Sequence, residues 1–132
     1  MSKRFQVNPP QDIGEFNIPI IARVYDFYKT LYSSLLTFSK AHRYYLGLRL
    51  DSLTIEIFEL FIEAGTSKGQ QKVIILEQSS IKLDILKIMI RLAKDVRCID
   101  DKKYLDLQIQ LQEVGKMLGG WLRSAKQNLP EF

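Results

Sequence analysis

The sequence predicts an all-α protein, an up-down-up-down bundle of four helices. Three observations carry that expectation. Apolar residues recur at alternating steps of three and four along most of the chain. Gly, Ser or Asp interrupts this pattern at short connectors. No segment alternates apolar and polar residues in the way a half-buried strand would.

Residues 1–16 read as a tail, because Asn8-Pro9-Pro10 and Gly14 break the periodicity and neither proline can enter a helix interior. The helical domain is expected over 17–132. Asn17 is a plausible N-cap, and Pro19 is tolerated in a first turn. The first helix is expected over about 18–38, with Ile20, Val24, Phe27, Leu31, Leu35 and Phe38 on one stripe. Ser39-Lys40-Ala41 links it to a second helix over about 42–64, with Leu46, Leu50, Leu53, Ile57, Leu60 and Ala64 facing inward. In the connector Gly65-Thr66-Ser67-Lys68-Gly69, Gly65 suits a C′ position and Ser67 an N-cap. The third helix follows over about 70–98. Asp100 or Asp101 caps the fourth, which continues to about 126 with Tyr104, Leu107, Leu111, Val114, Leu118, Trp121 and Ala125 on its stripe. Such stripes suit nearly antiparallel helices packed side by side, and short connectors make sequential helices neighbours.

The chain has 132 residues, the size of one domain. A hydrophobic fraction of 46% with mean hydropathy near zero argues for a packed core over disorder. No run approaches the roughly 18–20 apolar residues of a membrane helix, and no apolar segment follows Met1-Ser2-Lys3-Arg4-Phe5. The expectation is a cytoplasmic protein without a membrane partner. Cys98 has no second cysteine to pair with, and His42 is the sole histidine, so no metal site or cofactor is expected. Carboxylate pairs such as Glu59 and Glu63 lack the Glu-x-x-His motifs of di-metal bundles. Nothing stands at a triad-like spacing, and Gly65 to Gly69 is a helix connector, not a phosphate loop. No catalytic residue is assigned, and the chain is read as a non-enzyme.

The third helix carries more apolar surface than one core needs. Leu83, Leu86, Ile90 and Ala93 share one face; Ile81, Ile85, Ile88, Leu92, Val96 and Ile99 share the opposite one. Either a wide contact arc buries both faces within one chain, or the second face joins copies of the chain. A homo-oligomer built on the second face is the reading adopted. Gly115, Gly119 and Gly120 inside the fourth helix suggest close backbone approach or a bend.

The net charge is +4, with a pI near 9.2. Basic residues cluster as Lys87, Arg91 and Lys94, as Lys116, Arg123 and Lys126, and as Lys40, Arg43 and Arg49, against one acidic strip of Glu56, Glu59 and Glu63. Such runs are often no more than solvated faces. Several basic clusters to one acidic strip favour a polyanion-binding surface. Tyr25, Tyr28, Tyr32, Tyr44 and Tyr45 accompany the charge; tyrosines at this spacing serve core-edge packing or base stacking.

Three segments resemble a known family. Phe38-Ser39-Lys40-Ala41-His42-Arg43-Tyr44-Tyr45-Leu46-Gly47-Leu48-Arg49-Leu50 resembles the loop and helix start of the accessory variability determinant proteins of diversity-generating retroelements, with Ser39 where the family usually has proline. Ser80 to Lys87 with Arg91 to Lys94 is similar to that family's third helix. Lys103-Tyr104-Leu105 and Gln112 to Ser124, including Met117-Leu118-Gly119-Gly120-Trp121, match it most closely. The resemblance spans about residues 18–126. It implies a four-helix bundle assembled as a homopentameric barrel. It also implies binding to the retroelement's reverse transcriptase and template RNA or RNA/cDNA, in support of mutagenic cDNA synthesis. On this reading Arg43, Arg49, Lys87, Arg91, Lys94, Lys116, Arg123 and Lys126 contact nucleic acid or polymerase, and Ile81, Ile85, Ile88, Leu92 and Val96 join the copies. The alternative is a stand-alone oligomeric module of the wider superfamily, which includes bundle proteins encoded by intervening sequences in ribosomal RNA genes, with no reverse transcriptase partner.

Overall fold

A computed structural model describes residues 18–130, and the tail expected over 1–16 lies outside them. Among the described residues there are four helices and no strand. Helix α1 is Ile18–Leu35. Helix α2, residues 40–66, is continuous but changes pitch: Lys40–His42 is α-helical, Arg43–Gly47 is a π-helical turn, and Leu48–Thr66 is α-helical again. Helix α3 is Gly69–Asp95 and α4 is Asp101–Gln127.

Each helix packs on its sequence neighbours, and α1 closes the ring against α4. Cross-links fix the directions. Late α3 meets early α4 where Gln108 Nε2 donates to the Lys87 carbonyl at 3.0 Å, and early α3 meets late α4 at the 3.5 Å pair of Glu77 with Lys126. In the same sense, Thr30 Oγ1 accepts from Gln110 Nε2 at 3.1 Å and Thr37 Oγ1 from Lys103 Nζ at 3.4 Å, so α1 and α4 are antiparallel. The up-down-up-down expectation holds.

The inward stripes meet in one core whose wholly buried side chains include Phe27, Leu31, Leu53, Phe61, Leu76, Ile90 and Leu111. Phe61 also meets the half-buried Trp121, ring centroids 6.1 Å apart, at the Ile18 end. Buried hydroxyls turn back on their own helices: Thr54 donates to the Leu50 carbonyl and Ser79 to that of Leu76. Leu46 and Leu60, expected inside, pack at the rim of the core.

The helix ends differ from the sequence expectations in ways their hydrogen bonds explain. Helix α1 stops at Leu35, not 38, because Ser34 and Thr37 hydroxyls bond to the carbonyls of Thr30 and Ser34, and the chain tightens to tuck Phe38 inside. Ser39 is no linker: its Oγ accepts from the His42 amide at 3.3 Å as the N-cap of α2, which therefore begins at Lys40. Gly65 lies inside α2, so it is not the C′ residue, and Ser67 is the C-cap of α2, not an N-cap of α3. The Ser67 hydroxyl donates to the Glu63 carbonyl at 2.8 Å, which commits it to the helix behind it. The glycine the connector requires is Gly69, at φ +59°, where a side chain would be strained.

Helix α3 ends at Asp95, three residues early, in a Schellman-type turn. There the Cys98 amide donates to the Ala93 carbonyl and that of Arg97 to Lys94. Arg97 holds the left-handed position at φ +66°. The turn also reverses Ile99, which was expected on the outer face of the third helix but is 7% exposed and belongs to the core. Asp100 caps α4 as expected, its Oδ1 accepting from the Lys103 amide at 2.8 Å.

Candidate interaction surfaces

The two faces of α3 separate cleanly. Leu83, Leu86, Ile90 and Ala93 are buried against the other helices. Ile81, Ile85, Ile88, Leu92 and Val96 are exposed, Ile81 and Ile88 at 62% and 68%. Ile74 extends this outer stripe by two turns, which the sequence reading missed although it stands seven residues before Ile81 and shares its face. From Ile74 the stripe advances through Gln78, Ile81, Ile85, Ile88 and Leu92 in steps of four and three. That is the seam along which one helix takes another into knobs-into-holes contact. At 100° per residue, Glu77, Asp84 and Asp95 line one edge of the seam.

The eight basic residues do not converge on one place; they form three groups. Arg43 and Arg49 stand at the start of α2. The Arg43 guanidinium donates to the carbonyls of Leu36 and Phe38 at 3.1 and 3.4 Å, closing the end of α1. Arg49 lies 4.0 Å from Glu56, which also receives Lys82 at 2.8 Å. The Lys82 hydrogen bond holds the Glu56 carboxyl below its ordinary range.

The second group lies along the seam between α3 and α4. Lys94 Nζ sits 4.8 Å above the Tyr104 ring. Arg91 pairs with Asp95 at 3.4 Å, and a hydrogen bond with Tyr104, reinforced by Asp95, raises the guanidinium pKa. Lys87 reaches over Gly115, where a Cβ would stand 3.2 Å from its Nζ. Gly115 thus clears the path of that lysine. Gly119 and Gly120 show no such approach from another helix: their added Cβ atoms would meet only the Arg123 guanidinium, at 3.7 and 3.8 Å. Lys87 and Lys116 share an open groove of about 390 Å³ with Gly115 and Gly119.

The third group runs along the later half of α4, where Lys116 and Arg123 are exposed and have no ion pair among the described residues. Lys126 is paired with Glu77. The tyrosines divide in the same way. Tyr28 donates to Asp51 Oδ1 at 2.6 Å, and that bond, with burial and the Asp51 charge, pushes its pKa up to about 12. Tyr44 and Tyr45, by contrast, project at 68% and 74% exposure.

Among the described residues no group of three His, Cys, Asp or Glu is placed to hold a metal ion. Burial pushes the Cys98 thiol pKa up, which keeps it in the less reactive form. No helix among them is long and apolar enough to cross a membrane.

Fold and surface define an all-α bundle with one exposed apolar stripe on α3 and separate cationic clusters. The chain belongs to the bAvd-like family, whose sequence model matches residues 19–125, from the first turn of α1 to the last turn of α4. The resemblance to accessory variability determinant proteins therefore holds across all four helices. No curated protein matches the chain in sequence.

Proposed function

We propose that this chain is a non-catalytic accessory subunit of a diversity-generating retroelement. In this role it binds the element's reverse transcriptase and template RNA or RNA/cDNA and supports mutagenic cDNA synthesis. The observation that carries the reading is membership of the bAvd-like family over the whole bundle.

The surface supports it in two ways. An uncovered apolar seam through Ile74, Ile81, Ile85, Ile88, Leu92 and Val96 favours assembly of copies into the homopentameric ring the family resemblance implies. A ring multiplies a modest charge excess into a field no single chain has. Of the eight basic residues, Lys87, Lys116 and Arg123 are the ones with no ion pair, carbonyl or ring partner among the described residues, so they are the freest to meet phosphates or acidic polymerase patches. Arg49, Lys94, Arg91 and Lys126 would exchange a surface contact for that role, and Arg43 would act while still closing α1.

The test is to purify the tagged protein from its host at near-physiological salt and identify the protein and RNA that accompany it. A reverse transcriptase with one structured RNA is the expected result. The bundle alone, with the polymerase expressed, would instead indicate a stand-alone oligomeric module.

A further inference from the structure

The corner where α2 begins has a chemistry unlike the rest of the surface. No carboxylate stands between Asp26 and Asp51, a stretch that holds Lys29, Lys40, Arg43 and Arg49. The π-helical turn Arg43–Gly47 reduces the rotation between successive residues, so Tyr44 and Tyr45 emerge on one side of the helix. Gly47 packs that turn against the end of α1: an added Cβ would stand in ordinary contact with the Leu35 side chain at 3.4 Å and that of Phe38 at 3.6 Å. The two tyrosine rings stand edge to face, centroids 5.3 Å apart. With Lys40, Ala41, Arg43 and Leu48 they line an open concavity of about 600 Å³. Neither tyrosine hydroxyl has a hydrogen-bond partner among the described residues, so intramolecular bonding does not explain their placement.

We infer that this corner is a stacking site for the bases of single-stranded RNA. Tyr44 and Tyr45 offer ring faces, and Lys40 and Arg43 line the same concavity for the phosphates. The charge points to the class of occupant, since the two charged residues that line this largely apolar concavity, Lys40 and Arg43, are both cations, which matches a polyanion. The rings decide its form, since a duplex keeps its base faces stacked internally and only an unpaired strand presents them. The contrast with the α3 seam points the same way. That seam is aliphatic and carries Glu77, Asp84 and Asp95 along one edge, as suits another protein helix; the corner is aromatic and basic. The site rests on the reading of the chain as an RNA-binding subunit and adds a place and a mode of contact to it.

The test uses the full-length protein and the anisotropy of a labelled short oligouridylate, beside an abasic strand with the same number of phosphates. Replacing both rings with leucine (Tyr44→Leu with Tyr45→Leu) should weaken oligouridylate binding by about 10-fold or more, while Tyr44→Phe with Tyr45→Phe stays within about twofold. Binding of the abasic strand should be the same for all three proteins. Lys40→Gln should instead flatten the salt dependence. Photocrosslinking of a thiouridine strand to the unmodified protein should map to Tyr44 or Tyr45, which settles the matter even if the leucine variant fails to fold. The site is overturned if the leucine variant binds oligouridylate as the native chain does, or if the crosslinks fall elsewhere. It is also overturned if the leucine variant loses only a protein partner, which would make the corner a protein contact. Failure of the native chain to bind the strand at all would remove the site and leave the polymerase partnership to the copurification.

Discussion

The inner and outer faces of α3 are built from the same residue types at the same spacing, yet they meet opposite fates. Leu86 and Ile90 are 1% and 0% exposed, while Ile81 and Ile88 on the far side remain more than half exposed. Burying an isoleucine side chain is worth about 1.5–3 kcal/mol. The inner face collects that stabilisation from α2 and α4, and the outer face leaves it uncollected until something covers it. Apolar periodicity therefore states which residues seek cover, and the topology of the chain states which of them find it.

The largest effect expected from this contrast is on the inner face. Leu86→Ala should cost about 2–5 kcal/mol in urea unfolding, because the surrounding helices cannot close the hole. A loss under 1 kcal/mol would mean that the two faces are not energetically distinct. The matching change outside, Ile81→Ser with Ile88→Ser, should shift unfolding of the dilute protein by no more than about 0.5 kcal/mol per site. The same pair should move the sedimenting species to smaller mass. An unchanged mass would show that the outer face of α3 does not join copies of the chain. Arg97→Gly comes next: it relieves a left-handed non-glycine residue where α3 turns away from both faces, and should stabilise by about 0.5–1 kcal/mol in thermal unfolding. Strain there is local, so association should not change.

The smallest effect concerns the seam that holds α3 to α2. Glu56 has a lowered pKa in the folded chain because Lys82 donates to it. The stability it contributes is present above the ordinary carboxylate pKa of 4.5 and is lost as the pH falls through the lower folded value. Glu56→Gln should lower neutral stability only slightly, since the pair is partly solvated, and reduce the slope of stability against pH in that acid range, where the two proteins converge. An identical acid slope in the variant would show that the pair does not couple to folding.

The helices, their order and both faces of α3 were legible in the sequence because apolar spacing reports directly on burial. The ends were less so. Ser34, Thr37, Ser39 and Ser67 can each cap, terminate or bend a helix, and only the carbonyl or amide each one reaches decides which. Gly65 and Gly69 stand in one connector, yet only the second takes a positive φ. The basic clusters were visible as composition, but charge spacing does not reveal that Arg43 closes α1 or that Lys126 answers Glu77. The π-helical turn left no periodic trace of its own. What it produces, two adjacent outward tyrosines, was visible only as tyrosines.

The link between α2 and α3 is so short that these two helices must fold back on one another almost as soon as both exist. Contacts between neighbours in the chain dominate such a bundle, and chains of that kind cross their folding barrier in on the order of microseconds to milliseconds. Encounters between separate molecules at cellular concentrations are slower and depend on how many copies are present. In the proposed assembly, abundance of the chain, more than its folding, should therefore set how quickly the exposed stripe of α3 meets another copy.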